Sequence, residues 1–415
     1  MENRGMYTRV DEVLDTALES GLMILKNGGE TYRSEEAMIS IATSLGAQRP
    51  SAFVTPTVVM LTCFDTAGHS HTRIQRVTER TINLGIVARV NALALRLKTR
   101  PHVRSPALVA SILDRIQRAR LYTPAKVVFA TALSGFCFSL LFRGTLREAA
   151  ASFVIGAVLR TVLFLVSWLK PSSFVSAVTG GAVISLCSGL AVWGGCIQST
   201  GNVSIAVLMA LVPGVAIVNA IRDIIAGDLV AGSARLLDAF VTAAALSIGA
   251  AFGLVLFPVE KAYTSAILAR PELVPAFILA FFASGAFAYF YYSLRRDLFW
   301  SALFGAFGWI VYLIVSSFSV GPAAGSFAGA LAVGLCSELV SRIFGKPATV
   351  YIVPGIIPLV PGGGMYETML YSVWGNRAAA SAAGFSTLSA AFAIAVALAL
   401  VSSFFRLLDR RLPRQ

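Results

Sequence analysis

From residue 125 onward the chain is almost continuous apolar sequence, broken into runs of the length a bilayer demands. A hydrocarbon core of about 30 Å takes roughly 20 residues of helix, and ten segments meet that requirement. Val127–Phe142, Phe174–Trp193, Val203–Val218, Ala239–Phe257, Leu273–Tyr292, Leu298–Phe318 and Ala378–Phe405 carry no charge. Ala149–Trp168 is interrupted only by Arg160, Gly321–Phe344 by Glu338 and Arg342, and Ala348–Trp374 by Glu367. With 56% hydrophobic and 13% charged residues, the chain falls far below the ~25% charge of soluble domains. A polytopic membrane protein is expected.

The missing charges are crowded ahead of these runs. Residues 1–124 hold 16 of the 34 Lys and Arg and 11 of the 21 Asp and Glu. The expected organisation is a polar domain over 1–124, a first five-helix repeat over 125–257, a linker over 258–272, and a second five-helix repeat with a basic tail over 273–415. Lys and Arg favour the cytosolic side of a membrane. With the N-terminus inside, inner loops collect Lys126, Lys170, Arg222, Arg235, Arg295, Arg296, Arg342 and Lys346, against Arg143, Arg147, Lys261, Arg270 and Arg377 outside. Both termini are therefore expected in the cytosol. The net charge of +13 is accounted for by these helix ends, so nucleic acid is not an expected partner. Met1-Glu2-Asn3-Arg4 opens a polar stretch without the apolar core of a signal peptide. The five cysteines form no C-x-x-C pair, and His69 with His71 reads as a polar turn, so no metal is expected.

An internal repeat shows in short matches. Ala132-Leu133-Ser134-Gly135-Phe136 returns as Phe282-Ala283-Ser284-Gly285-Ala286, and Ser152 to Ala157 as Ser301 to Ala306. Leu211-Val212-Pro213-Gly214-Val215 returns as Ile352-Val353-Pro354-Gly355-Ile356. Five spans per half make the second half insert upside down, the plan of many secondary transporters, whose substrates bind where Pro and Gly break matching helices. Broken backbone at membrane depth survives only where protein or a water-filled cavity satisfies it. Candidate substrate-binding residues are thus Pro213, Gly214, Asn219, Asp223, Pro354, Gly355, Pro361, Gly362 and Glu367. Candidates for proton coupling are Asp223, Glu367, Arg160 and Glu338, because an ionisable group in a span needs a partner or a purpose. For Asp223 a solvated position at the cytosolic rim is the competing reading.

The front domain reads as α+β. Val10, Val13, Leu14, Ala17, Leu18 and Leu22 form one stripe of a helix over 10–27, ended by Gly28-Gly29. Thr31 is expected to cap the next helix, with Glu35 and Glu36 in its first turn. Ala52–Phe64 reads as one strand, Asp65–Ser70 as a turn, His71–Val77 as the return strand, and 83–98 as a helix before the linker Thr99–Pro106. No catalytic or phosphate-binding motif appears, and no cofactor is expected.

Several runs resemble the threonine/serine exporter family: Gly21-Leu22-Met23-Ile24-Leu25, then Gly28-Gly29-Glu30-Thr31-Tyr32-Arg33, Glu35-Glu36-Ala37-Met38 and Phe53-Val54-Thr55-Pro56-Thr57. Arg89-Val90-Asn91, the stretch Val212-Pro213-Gly214 to Asn219-Ala220-Ile221-Arg222-Asp223, and Gly227-Asp228 with Gly232 and Arg235 extend the likeness. The resemblance implies the fused, single-chain form of an exporter that also exists as two chains. It implies a mainly α membrane protein of ten transmembrane helices in two inverted repeats behind a small α+β cytosolic domain, in a bacterial inner membrane. It further implies proton-coupled export of threonine and serine rather than an enzyme, with a homo-oligomer left open. Dicarboxylate (succinate) export is the alternative within transport, and a membrane-anchored hydrolase acting through the front domain is the reading from another class.

Overall fold

The structure, a computed structural model, describes residues 2–65, 67–99, 105–119, 121–257, 272–318 and 321–411. It divides into two compact units, one of Met1–Leu121 with Tyr291–Leu294 and Ser341–Val350, the other of Tyr122–Phe290, Arg295–Val340 and Tyr351–Gln415.

The first unit contains α1 (Glu2–Lys26), α2 (Thr31–Ser44), β1 (Gln48–Thr55), β2 (Val58–Phe64), β3 (Ser70–Arg76), α3 (Leu84–Thr99) and α4 (Pro106–Arg118). Val13, Leu14, Ala17, Leu18 and Leu22 lie in its core, with Val10 packed at the edge, so the stripe sets the buried face of α1. Gly28 ends that helix at φ 87°, a conformation glycine adopts at no steric cost. Glu30, not Thr31, stands at the N-cap of α2. Glu35 and Glu36 consequently fall beyond the first turn, and Glu35 instead accepts the Val54 N–H at 3.0 Å.

The expected strand Ala52–Phe64 is two strands. Pro56 has no N–H to give a ladder, and Thr55 Oγ1 accepts the Val58 N–H at 3.2 Å, closing a tight turn with Thr55 opposite Val58. The result is an antiparallel β1-β2-β3 meander. In the next turn Asp65 Oδ1 accepts the N–H groups of Ala67 at 2.9 Å and His69 at 2.8 Å. Its Oδ2 lies 3.1 Å from the His69 ring and 3.4 Å from the His71 ring. Burial pushes the Asp65 carboxyl up, but bonds from His69, His71 and Ala67 outweigh it and hold the group at about 2. The histidines thus serve a turn, and no metal-holding cluster of His, Cys, Asp and Glu exists among the described residues. Most of the expected linker at 99–106 and nearly all of the one at 258–272 lie outside the described residues.

The second unit is helical: α5 (Pro124–Leu141), α6 (Leu146–Ser167), α7 (Ser173–Trp193), α8 (Thr200–Leu208), α9 (Gly214–Ile225), α10 (Leu229–Leu256), α11 (Leu273–Phe290), α12 (Arg295–Ser316), α13 (Pro322–Phe344), α14 (Thr349–Gly355), α15 (Gly362–Val373) and α16 (Arg377–Arg411). The last four residues of α13 and the first two of α14 are counted with the first unit. Among the described residues, eight helices are long and apolar enough to cross a membrane, and α14 with α15, bent by 50° at their break, give a ninth crossing if counted as one.

The spacing repeats. α5 to α8 begin 149 residues before α11 to α14, and α9 and α10 begin 148 before α15 and α16 (273 − 124, 377 − 229). Turn geometry follows the same offset, with Arg143 and Tyr292 left-handed at φ 64° and 55°, Gly227 and Gly375 at 93° and 71°. Caps follow it too: Asp228 accepts from Ala231 N–H and Asn376 from Ala379 N–H, both at 3.2 Å. This spacing pairs Pro213-Gly214 with Pro361-Gly362. The expected counterpart, Pro354-Gly355, lies at the end of α14 rather than at the break.

Two helices of the first half touch backbone to backbone. A Cβ on Gly181 of α7 would collide with the Leu246 carbonyl of α10, and one on Gly249 with the Val178 carbonyl. Small residues allow such approach in membrane bundles, where packing replaces the hydrophobic effect between helices.

Candidate functional site

Two broken helices meet in the second unit. Pro213 caps α9 at φ −77°, ψ 33°, and Pro361 caps α15 at φ −78°, ψ 58°. A Cβ on Gly214 would strike Val360 Cγ1, and one on Gly362 would strike Met209 Sδ. Glycine at each helix start therefore lets the breaks press together. Each break strands N–H groups that have no acceptor one turn back. Gly362 N–H bends to Val360 O at 2.7 Å and Met365 N–H reaches Pro361 O at 3.2 Å. The N–H groups of Gly363 and Gly364 find no backbone acceptor among the described residues.

Those two glycines line a cleft of about 560 Å³. It runs from Phe142, Arg143 and Glu272, where α5 ends and α11 begins, to Pro358–Pro361 at the break. Glu367 lines it four residues after Gly363, hence on the same helical face. Trp309 and Tyr312 stack in it, ring centroids 4.9 Å apart and 19° from parallel. Thr387 Oγ1 donates to Ala383 O at 2.7 Å, which leaves its lone pairs available on the cleft wall. A stranded N–H pair at a helix N-terminus attracts an anion, and a carboxylate one turn on attracts a cation. The cleft offers both within one helix.

Other sequence candidates fall elsewhere. Pro213 lines a separate groove of about 420 Å³ between the α8–α9 break, α10 and α15. Pro354 and Gly355 are buried, a Cβ on Gly355 meeting Val333 of α13. Asn219 is half-buried on α9 and lines neither opening. Asp223, rather than sitting solvated at a rim, is 7% exposed, and its Oδ2 lies 3.0 Å from Arg235 Nε on α10. The two atoms face each other as an ion pair without hydrogen-bond alignment. Arg222 donates to Ser402 of α16 at 3.3 Å. Arg160 is held between the rings of Phe164 and Phe290, 4.6 and 4.7 Å from their centroids. Glu338 is buried near the end of α13.

In the first unit the motif residues perform structural work. Gly28 ends α1, buried Glu30 pairs with Arg33 at 2.8 Å, Thr31 begins α2, and Arg33 lies over the Tyr32 ring at 5.3 Å. Burial disfavours the Arg33 charge, yet Tyr32, Glu30 and Glu36 outweigh it and raise its pKa. Trp309, Tyr312 and Thr387 went unnoticed in the sequence. They lie on α12 and α16, and the i, i+3 spacing of Trp309 and Tyr312 was their only local signal.

The chain compares with known proteins as follows. A family described as a putative threonine/serine exporter matches residues 15–257, and a second, described as threonine/serine exporter, matches residues 276–404. A threonine/serine exporter of Corynebacterium glutamicum is 24% identical over 328 residues, spanning 74% of this chain and 64% of that protein. Pheromone-regulated membrane protein 10 of Eremothecium gossypii is 28% identical over 258 residues, 58% of this chain and 34% of that one. The chain thus covers less than two thirds of either relative. No solved structure matches.

Proposed function

The chain belongs to the threonine/serine exporter family, and we propose that it is a secondary transporter exporting small hydroxy amino acids, with Gly363, Gly364 and Glu367 as the substrate anchors. The observation that carries this reading is the pairing of stranded N–H groups and a carboxylate in one cleft. The N–H pair takes the amino acid's carboxylate, Glu367 takes its ammonium, and Thr387 accepts from the side-chain hydroxyl. A dicarboxylate fits less well, since Glu272 and Glu367 both line the cleft. A hydrolase in the front domain loses support because Glu30 and Glu35 are engaged by Arg33 and the Val54 N–H.

The body comprises ten spans in two inverted five-span repeats when α8 with α9, and α14 with α15, each count as one broken span. The constant offset of 149 or 148 residues supports this. The excess of basic residues in alternate loops supports an arrangement with both termini in the cytosol of a bacterial inner membrane, in which the cleft faces outward. Export is coupled to protons entering the cell. Protonating Glu367 removes the charge that holds the ammonium, so the amino acid leaves outward and the proton returns inward. The test is efflux of threonine and serine from cells loaded with dipeptides, against succinate-loaded cells. Efflux that is unchanged by a well-expressed Glu367→Gln variant would overturn the assignment.

A further inference from the structure

The two ends of the second unit differ in one contact that the repeat spacing says they share. Asp297, 1% exposed at the start of α12, accepts a hydrogen bond from the fully buried Tyr351 hydroxyl of α14 at 3.2 Å. An offset of 149 carries these residues to Glu148 at the start of α6 and Asn202 of α8 (297 − 149, 351 − 149). There the corresponding contact is unmade. Glu148 turns back on its own helix, its Oε2 accepting the Thr145 N–H at 2.7 Å. Asn202 is tied to the end of α5, its Nδ2 donating to Phe142 O at 3.1 Å and its Oδ1 accepting from Ser139 at 2.9 Å. The cleft lies at this second end, with Phe142 and Arg143 in its wall. The Asp297–Tyr351 contact lies at the other end, where α11 finishes and α12 begins.

We propose that these two pairs are the alternating latches of the transport cycle. Asp297–Tyr351 is shut while the cleft is open. When α8 leaves the end of α5 and the cleft closes, Glu148 and Asn202 join as Asp297 and Tyr351 part. The latches rest on the transporter reading, since a protein that does not alternate needs no second latch. The chemistry is suited to switching. One carboxylate with one hydroxyl or amide bridges two helices through a single hydrogen bond, worth about 1.5–3 kcal/mol when charged. That is enough to bias a two-state equilibrium by roughly 10- to 100-fold and small enough to be broken in each cycle.

The test uses the full-length chain carrying Cys196→Ser, which removes the exposed native thiol, in oriented membrane vesicles, with Tyr312→Cys as a cleft reporter labelled by an impermeant thiol reagent from the cleft side. Cross-linking Asp297→Cys to Tyr351→Cys should keep the reporter fully labelled and stop efflux. Cross-linking Glu148→Cys to Asn202→Cys should abolish the label. The latches are overturned if the 148/202 pair links while labelling stays high, or if both pairs link within one molecule. Should a cysteine pair fail to insert, Tyr351→Phe gives a second reading. It removes only the hydroxyl and should lower reporter labelling several-fold, and unchanged labelling overturns the proposal. Reporter switching that persists without efflux of any amino acid would instead sink the substrate assignment and leave the latches standing.

Discussion

Glu367 and Asp223 were equivalent candidates in the sequence, each a carboxylate behind a Pro-Gly break, and the structure gives them different surroundings. Glu367 lines the cleft; Asp223 faces Arg235 across the α9–α10 hairpin. Removing one partner of a buried ion pair typically costs about 3–5 kcal/mol, whereas replacing both with apolar groups is often neutral. Asp223→Ala should therefore reduce the amount of folded protein, measured as a lower thermal midpoint in detergent, and Asp223→Leu with Arg235→Met should recover most of it. Glu367→Gln, which keeps the side chain's shape, is expected to lower that midpoint less than Asp223→Ala and to weaken amino acid export by roughly 10- to 100-fold, from a charged hydrogen bond of about 1.5–3 kcal/mol. Measuring midpoint and efflux on both variants separates a structural carboxylate from a substrate-facing one. A third expectation concerns Gly214, whose Cβ position Val360 occupies. Gly214→Ala must push the two breaks apart and lower efflux more than Gly363→Ala, since a Cβ on Gly363 finds nothing nearer than 3.6 Å.

At the scale of elements, the β2–β3 turn makes a pH-dependent prediction. Asp65 is held at about 2, below its ordinary 3.8, so its ionised form stabilises the turn at neutral pH and that contribution is lost as pH falls from about 4 towards 2. The protection factors of the Ala67 and His69 amides in hydrogen exchange should fall over that interval, and Asp65→Asn should abolish the dependence. Helices of this chain were legible in the sequence because length and apolar content set them, and the stripe on α1 fixed its buried face. The two-strand split at Pro56 was hidden because β-branched residues continue on both sides of it. The counterpart of Pro213-Gly214 was misassigned because Val353-Pro354-Gly355-Ile356 copies its wording, while helix starts show Pro361 in the matching place. Pro361 and Glu367 were named from sequence and line the cleft. Trp309, Tyr312 and Thr387 join them only through tertiary packing, which no spacing along the chain encodes.

For the whole molecule, the orientation proposed from basic loops has a direct probe. Cys196 is exposed beyond α7 and should react with an impermeant thiol reagent on intact cells; protection of a thiol that reacts in detergent would reverse the assigned sidedness. At the positions 149 and 148 residues on from Gly181 and Gly249, the second half has Ala330 and Ala397, both fully buried. α13 instead meets α16 at Gly334, where a Cβ would lie 3.3 Å from the Leu398 and Val401 side chains rather than against a carbonyl. Carbonyls lodged against glycine leave no room for a side chain at that point. The α7–α10 seam is thus a backbone-to-backbone contact that a methyl at either Gly181 or Gly249 would force apart.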